Sequence, residues 1–565
     1  MKKRTFILLV LLFIAVLAFA QAPEWQWATQ AGGTNSDGGK AITIDAAGNS
    51  YVTGTFRETA TFGSYSLTSS GYLDIFVAKM DEDGNWLWAT RAGGGSWDWD
   101  CGCGITIDDA GNSYVTGGFN GTASFGSFSI TSGGDDDIFV AKMDANGNWQ
   151  WATRAGGTYI DFGYGITIDN AGNSYVTGTF AYTASFGSFS LTSSGDADIF
   201  VAKMDATGNW LWVTQAGGGT SVSRGYGITI DDAGNSYVTG FFYDTITFGS
   251  YSLTSSGMED IFVAKMNAEG NWQWAAKAGG TDCDYGKAIT IDNAGNSCVT
   301  GYFYDTATFG SYSLTSSGDA DIFVAKIDAN GNWQWAIQAG GSVSDGGNGI
   351  TIDDFGNSYV TGYFMLTATF GPYSLTSSGS WDSDIFVAKM DVDGNWQWAI
   401  QAGGDSWDQG SAITIDDFGN SYVTGYFMAT ATFGPYSLTS SGSWDIFVAK
   451  LGSNSYAENE ISTKEIGLSN YPNPFNPSGA GRSTTTTIYF NISRKDAKNA
   501  NLEIYNIKGQ KIKTLQILQS AIHNPNYVVW NGTDGNNQPV SSGIYFYQLI
   551  SDKKTIDIKR MLLLE

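Results

Sequence analysis

Residues 25–33 read WQWATQAGG, and the phrase returns at 86–94 as WLWATRAGG, where DIFVAKMDEDGN (74–85) precedes it. At 25–33 that first half is missing. At the other end DIFVAKLGSNS (445–455) runs on without a following WxW, so one repeat reads as cut in two, its pieces at opposite ends of the repeat array. The first tryptophan of WxW falls at Trp25, Trp86, Trp149, Trp210, Trp272, Trp333 and Trp396, and the isoleucine of IFVAK at Ile75, Ile138, Ile199, Ile261, Ile322, Ile385 and Ile446. Both series step by about 62 residues, the mark of a repeat architecture.

Each unit offers four short runs rich in Ile, Val, Thr, Tyr and Phe: AITID (A), SYVTGTF (B), DIFVAKM (C) and WQWA (D). Turns such as DAAGN and DEDGN join A to B and C to D. Their Asp accepts backbone N–H groups and their Gly takes positive φ, which predicts hairpins. The 74 glycines and the absence of a 3.6-residue period speak against helices. A strand such as IFVA, apolar on both faces, needs a sheet packed on each side, which radially arranged blades supply. The predicted fold is therefore all-β: a seven-bladed β-propeller over 21–452, closed when the strand at Trp25 completes the sheet that ends at Ile446. The units GGxxxxDxGxAITIDxxGNSYVTG and DIFVAKMDxxGNWxWA resemble the bacterial β-propeller repeat family called SBBP, a resemblance that implies a propeller and no particular reaction.

Residues 1–20 carry Lys2, Lys3 and Arg4, then FILLVLLFIAVLAFA, then small residues before Gln21, the pattern of a cleaved signal peptide. The chain is thus expected to be exported to the periplasm and beyond, with no transmembrane segment. Net charge is −26. It is unevenly spread: 11 basic and 6 acidic residues fall from Tyr471 onward, against 15 and 49 between the signal and that point. So acidic a body repels phosphate backbones, which argues against nucleic acid as a partner. Cys101, Cys103, Cys283 and Cys298 sit at non-equivalent repeat positions and define no repeated disulfide or metal framework.

A polar linker (453–470) leads to 471–565, whose alternating runs and Gly and Asn turns predict a small Ig-like β-sandwich. Tyr471, Pro472, Asn473, Pro474 and Phe475, then Trp530 with Gly532 and Gly535, then Gly543 and Tyr545 of SGIYFY, and the closing run from Lys559 and Arg560 to Leu564 resemble the type A C-terminal sorting domain of the type IX secretion system. SGAGRS after Pro477 departs from that pattern. The resemblance implies recognition by an outer-membrane translocon, then release or attachment at the cell surface of a Gram-negative bacterium.

The single histidine, His523, lies outside the repeats. The repeats therefore hold no Ser-His-Asp or Cys-His arrangement and no imidazole metal ligand. Their arginines are only Arg57, Arg91, Arg154 and Arg224, no cluster for a substrate carboxylate. DEDGN reads as a hairpin turn, not a calcium loop, since its second Asp is absent from DATGN and no Glu follows at the spacing of such a loop. An Asp five residues before strand A's first Ile recurs as Asp37, Asp100, Asp161, Asp284, Asp345 and Asp408, with Ser223 in the remaining unit. With A innermost, these would encircle the channel mouth, either fixing turns or holding a cation; calcium is the one cofactor they would admit. Long B–C and D–A connections form the rim opposite the Gly-Asn turns. There Trp97, Trp99, Trp381, Trp407 and Trp444, mostly in Ser-Trp-Asp, offer faces for sugars or a protein partner. The expected function is non-enzymatic binding or structure; the alternative is a carboxylate-dependent glycan hydrolase or lyase.

Overall fold

A computed structural model describes residues 22–95, 99–452, 469–471, 486–490, 501–516, 526–536, 538–551 and 554–563. The signal-peptide reading lies outside them. The described residues are all-β, without a helix, and arranged in antiparallel sheets of propeller type. No helix among them is long and apolar enough to cross a membrane. The chain divides into two compact units, Met1–Asn454 and Ser455–Glu565.

In the first unit β1 (Glu24–Gly33) is followed by β2 (Gly38–Ile44), β3 (Ser50–Phe56), β4 (Thr59–Phe62), β5 (Tyr65–Thr68), β6 (Asp74–Met80) and β7 (Trp86–Gly94). β2, β3, β6 and β7 are the expected A, B, C and D, paired in that order. β6 is buried on both faces, with Ile75, Phe76, Val77 and Ala78 all inaccessible. The B–C connection, read from the sequence as a loop, is instead the β4–β5 hairpin, turning at Gly63 with φ 58°. β4 pairs with the end of the preceding D strand, Gly32↔Thr61 and Gly33↔Ala60, so each hairpin stitches one sheet to the next. The pattern repeats along the chain, for example where Thr122–Phe125 pairs with β7.

Among the described residues the A strands are β2, Cys101–Ile107, Phe162–Ile168, Arg224–Ile230, Tyr285–Ile291, Gly346–Ile352 and Gln409–Ile415. Each lies beside the next, and the last lies beside β2. β1 pairs antiparallel with Tyr436–Gly452, from Trp25↔Leu451 to Ala31↔Ile446. Across that seam Tyr422, Ile446 and Val448 share one core with Ile42, Val52, Phe56 and Phe76. The WxW tryptophans pack between sheets. Trp86 meets Phe62 edge-on at 5.2 Å, and the second tryptophan of the motif reaches the following unit, Trp27 Nε1 donating to the Glu82 carbonyl at 3.0 Å.

In the second unit Asn501–Asn506 lies between Lys511–Gln516 and Gly543–Ser551, and Gly543–Ser551 pairs in turn with Lys554–Leu563. Ser469–Tyr471, Thr486–Phe490 and Asn526–Trp530 form a second sheet. Ser469 and Asn470, assigned above to the linker, are thus already in a strand. Trp530 is fully buried, donates from Nε1 to the Thr533 carbonyl and packs on Tyr545 at 5.2 Å. Lys559 and Arg560 are exposed on the last strand, and Gly543 begins the strand that carries Tyr545. Pro472, Asn473, Pro474 and Phe475 lie outside the described residues.

Candidate functional site

The expected channel-mouth aspartates do not line a channel. Asp37, Asp100, Asp161, Asp284, Asp345 and Asp408 are buried, at most 2% exposed. Each accepts two backbone N–H groups: Asp37 takes Gly33 N at 2.7 Å and Arg57 N at 2.8 Å, and Asp408 takes Gly404 N at 2.7 Å and Met428 N at 3.1 Å. They tie the D–A connection to the residue after strand B, satisfying amides the ladders leave unpaired.

A second series was not singled out in the sequence, although it begins every DIFVAK. Asp74, Asp137, Asp198, Asp260, Asp321, Asp384 and Asp445 are fully buried. A glycine separates the two series: a Cβ on Gly403 would fall 2.6 Å from the Asp384 carboxyl and 3.0 Å from Asp408 Oδ2. Burial, with the neighbouring carboxylate adding to it, pushes Asp37 up to about 7 and Asp408 up to about 8. Among the described residues no group of three or more His, Cys, Asp or Glu is placed to hold a metal ion. The DEDGN carboxylates are likewise spent on their own turns, Asp81 Oδ1 accepting from Asp83 N and Asn85 N.

The rim tryptophans are exposed where they are described: Trp99 59%, Trp381 66%, Trp407 50% and Trp444 42%. Trp99 stacks on Tyr72 at 5.3 Å, and Arg57 covers Tyr72 at 4.0 Å. Trp444 leans on Tyr426 at 5.5 Å. Trp97 lies outside the described residues.

A concave site forms elsewhere, from a feature that period-two reading of strands passes over. Every A strand carries a β-bulge against B: in β2, Gly39 pairs with Gly54 and Ala41 with Thr53, leaving Lys40 unpaired. Bulges re-aim side chains. The bulged positions are Lys40, Cys103, Tyr164, Tyr226, Lys287, Asn348 and Ser411, as diverse as the framework around them is uniform. Their side chains meet across units: Tyr164 and Tyr226 contact edge-on at 5.0 Å, and the Lys287 ammonium lies 4.3 Å from the Tyr226 ring, 5.8 Å from Tyr285 and 5.4 Å from Tyr302. Cys103 Sγ faces Cys101 Sγ at 2.9 Å. Burial, reinforced by Arg224 and Lys40, brings Lys287 down to about 8.

Beside these side chains lies a cavity of about 610 Å³, lined by Arg224, Tyr226, Phe241, Tyr285 and Tyr302. Asp196 and Glu259, contributed by B–C connections, also line it. Aromatic faces with a few convergent polar groups are the make-up of a small-ligand site. The cue was present in GGKAITI, FGYGITI, RGYGITI and YGKAITI, where the first and third residues vary within a fixed frame.

Five segments, 26–55, 150–179, 211–240, 334–363 and 397–426, match the SBBP β-propeller repeat family. A WD repeat-containing protein of Acanthamoeba polyphaga mimivirus is 25% identical over 500 residues, 71% of this chain and 36% of that protein. The regulatory protein FlaEY of Caulobacter vibrioides is 26% identical over 145 residues, 25% of this chain and 15% of that protein. The chain therefore spans well under half the length of both relatives. A crystallised puromycin hydrolase aligns over 81% of this chain and 59% of its own at 9% identity, with a TM-score of 0.40.

Proposed function

This chain is a β-propeller repeat protein, and from that premise we propose an exported binding module: seven blades closed by the N-terminal strand, followed by an Ig-like sorting domain. The pairing of β1 with Tyr436–Gly452 and the contact of Gln409–Ile415 with β2 support closure. Delivery by the type IX secretion translocon, to the medium or the cell surface, rests on the motif residues from Tyr471 to Arg560. Loss of secretion on deleting 471–565 tests it.

One observation carries the binding reading. A uniform frame presents diverse side chains at its bulges, and these gather beside a cavity of about 610 Å³. The module is non-enzymatic in this reading, with Trp99, Trp381, Trp407 and Trp444 as a separate rim surface. Glycan-array binding by the full chain, lost in Tyr226→Ala and kept in Trp407→Ala, assigns the ligand to the cavity; the reverse pattern assigns it to the rim and sinks the cavity. A carboxylate-dependent glycan hydrolase or lyase is the second reading, because Asp196 and Glu259 line the same cavity at positions the repeat does not fix. Product release from a bound glycan, abolished in Glu259→Gln while binding persists, would decide for it.

A further inference from the structure

We propose that the cavity between Arg224, Tyr226, Tyr285 and Tyr302 takes a carboxylate-bearing sugar, a uronate-type residue of an acidic glycan. This rests on the cavity being the binding site.

Arg224 lines the cavity with its Nε buried and without a hydrogen-bond partner. Asp196 and Glu259 line the same space, yet neither comes within the 4.0 Å of an ion pair with it, and Lys287 likewise has no ion pair among the described residues. In a chain of net charge −26, most described lysines of the repeats are held by a carboxylate, as Lys79 is by Asp45 at 3.4 Å and Lys203 by Asp169 at 3.3 Å. The site departs from that rule: Arg224, Lys287 and the exposed Lys40 gather with no carboxylate of the described residues within ion-pair distance of them. Arg224 and Lys287, partly buried and without an ion pair, set a positive potential that a ligand anion would neutralise.

The rest of the lining fits a sugar that bears this anion. A guanidinium fork binds a planar carboxylate through two parallel N–H groups, the task open to Arg224. Lys287 stands behind the Tyr226, Tyr285 and Tyr302 rings and acts through its field. Those rings offer apolar faces to sugar C–H groups, and Asp196 and Glu259 can accept from hydroxyls. An inorganic anion would use the cations and leave the rings and both carboxylates idle.

Calorimetric titration of the full chain with tetragalacturonate, its methyl ester and inorganic sulfate tests this. The free acid is expected to bind about tenfold or more tighter than the ester. Arg224→Met should remove that preference, Arg224→Lys should keep part of it, and Lys287→Met should weaken the acid but not the ester, all with unchanged melting temperature. Acid affinity should fall as pH rises above 8, where Lys287 loses its proton; it faces Tyr226, Tyr285, Tyr302, Arg224 and Lys40, and of these burial holds the Tyr285 and Tyr302 hydroxyls neutral while the surrounding tyrosines keep Arg224 charged. Equal affinity for acid and ester overturns the inference. If the ester then loses binding in Tyr226→Ala, the cavity reading survives. Sulfate displacing the acid at equal concentration overturns the sugar assignment, and binding by no probe and no array glycan overturns both.

Discussion

The C and A strands of a unit follow opposite rules. In C, every unit repeats Asp, Ile, Phe, Val, Ala and Lys, and the first five are buried. In A, the position after the first invariant Gly is Lys, Cys, Tyr, Tyr, Lys, Asn or Ser. C is squeezed between neighbouring sheets, where interiors packed like organic crystals tolerate little change in volume. The A residue is the extra one of a bulge and carries no ladder pairing, so the fold leaves its identity open. Conformity marks the frame and diversity marks the site.

The largest effect expected from breaking this contrast comes from pH. The aspartates between the sheets are raised by burial, Asp37 to about 7 and Asp408 to about 8, against 3.8 for the free side chain. Their contribution is complete below pH 4 and is lost as pH climbs through 7 to 8. Each unit of difference is worth ~1.4 kcal/mol, and burial raises Asp161, Asp284 and Asp345 to about 7 as well. Urea unfolding should therefore show the unfolding free energy falling between pH 5 and pH 8 by more than any single core truncation costs, the reverse of ordinary acid denaturation. A flat or rising profile would mean that these carboxylates are ionised in the fold.

Next comes the direct comparison of the two strand types. Phe76→Ala on C should cost about 3–5 kcal/mol, whereas Lys40→Met at a bulge should stay within about 0.5 kcal/mol. Equal costs would erase the division between frame and site. The smallest effect concerns a residue at positive φ before each hairpin, non-glycine in six of the seven. Leu366 has φ 53°, and the second repeat places Gly121 there at φ 64°. Leu366→Gly should stabilise by up to ~1 kcal/mol, relief from the left-handed conformation outweighing the entropy of glycine; a thermal melt reads it.

Much of this was legible from the repeat phrase. Strands A to D, their hairpin turns and the pairing of Trp25 to Ala31 with the last C strand follow from counting WxW against IFVAK. The B–C hairpin escaped because TATF and YSLT are only four residues each and their strand character depends on a neighbour's D strand. The bulge escaped because one extra residue does not disturb an apolar pattern as short as AITI. The aspartates of the D–A connection were found by spacing, but spacing cannot distinguish a carboxylate facing a channel from one turned into backbone amides. The cavity's aromatic and basic residues lay in plain view, yet Arg224 looked solitary until the fold set Lys287 and Lys40 near it.

The bond between β1 and Tyr436–Gly452 joins residues more than 400 positions apart, as in Gln30 Nε2 donating to the Thr439 carbonyl at 2.8 Å. Closing so long a loop adds little entropy beyond a shorter one, since the cost grows only with the logarithm of length. Timing is what it governs. Until the seventh C strand has left the ribosome, the first strand has no edge to join. That pairing therefore forms only once the whole repeat array has been made, and a chain truncated before Tyr436 leaves β1 without this partner.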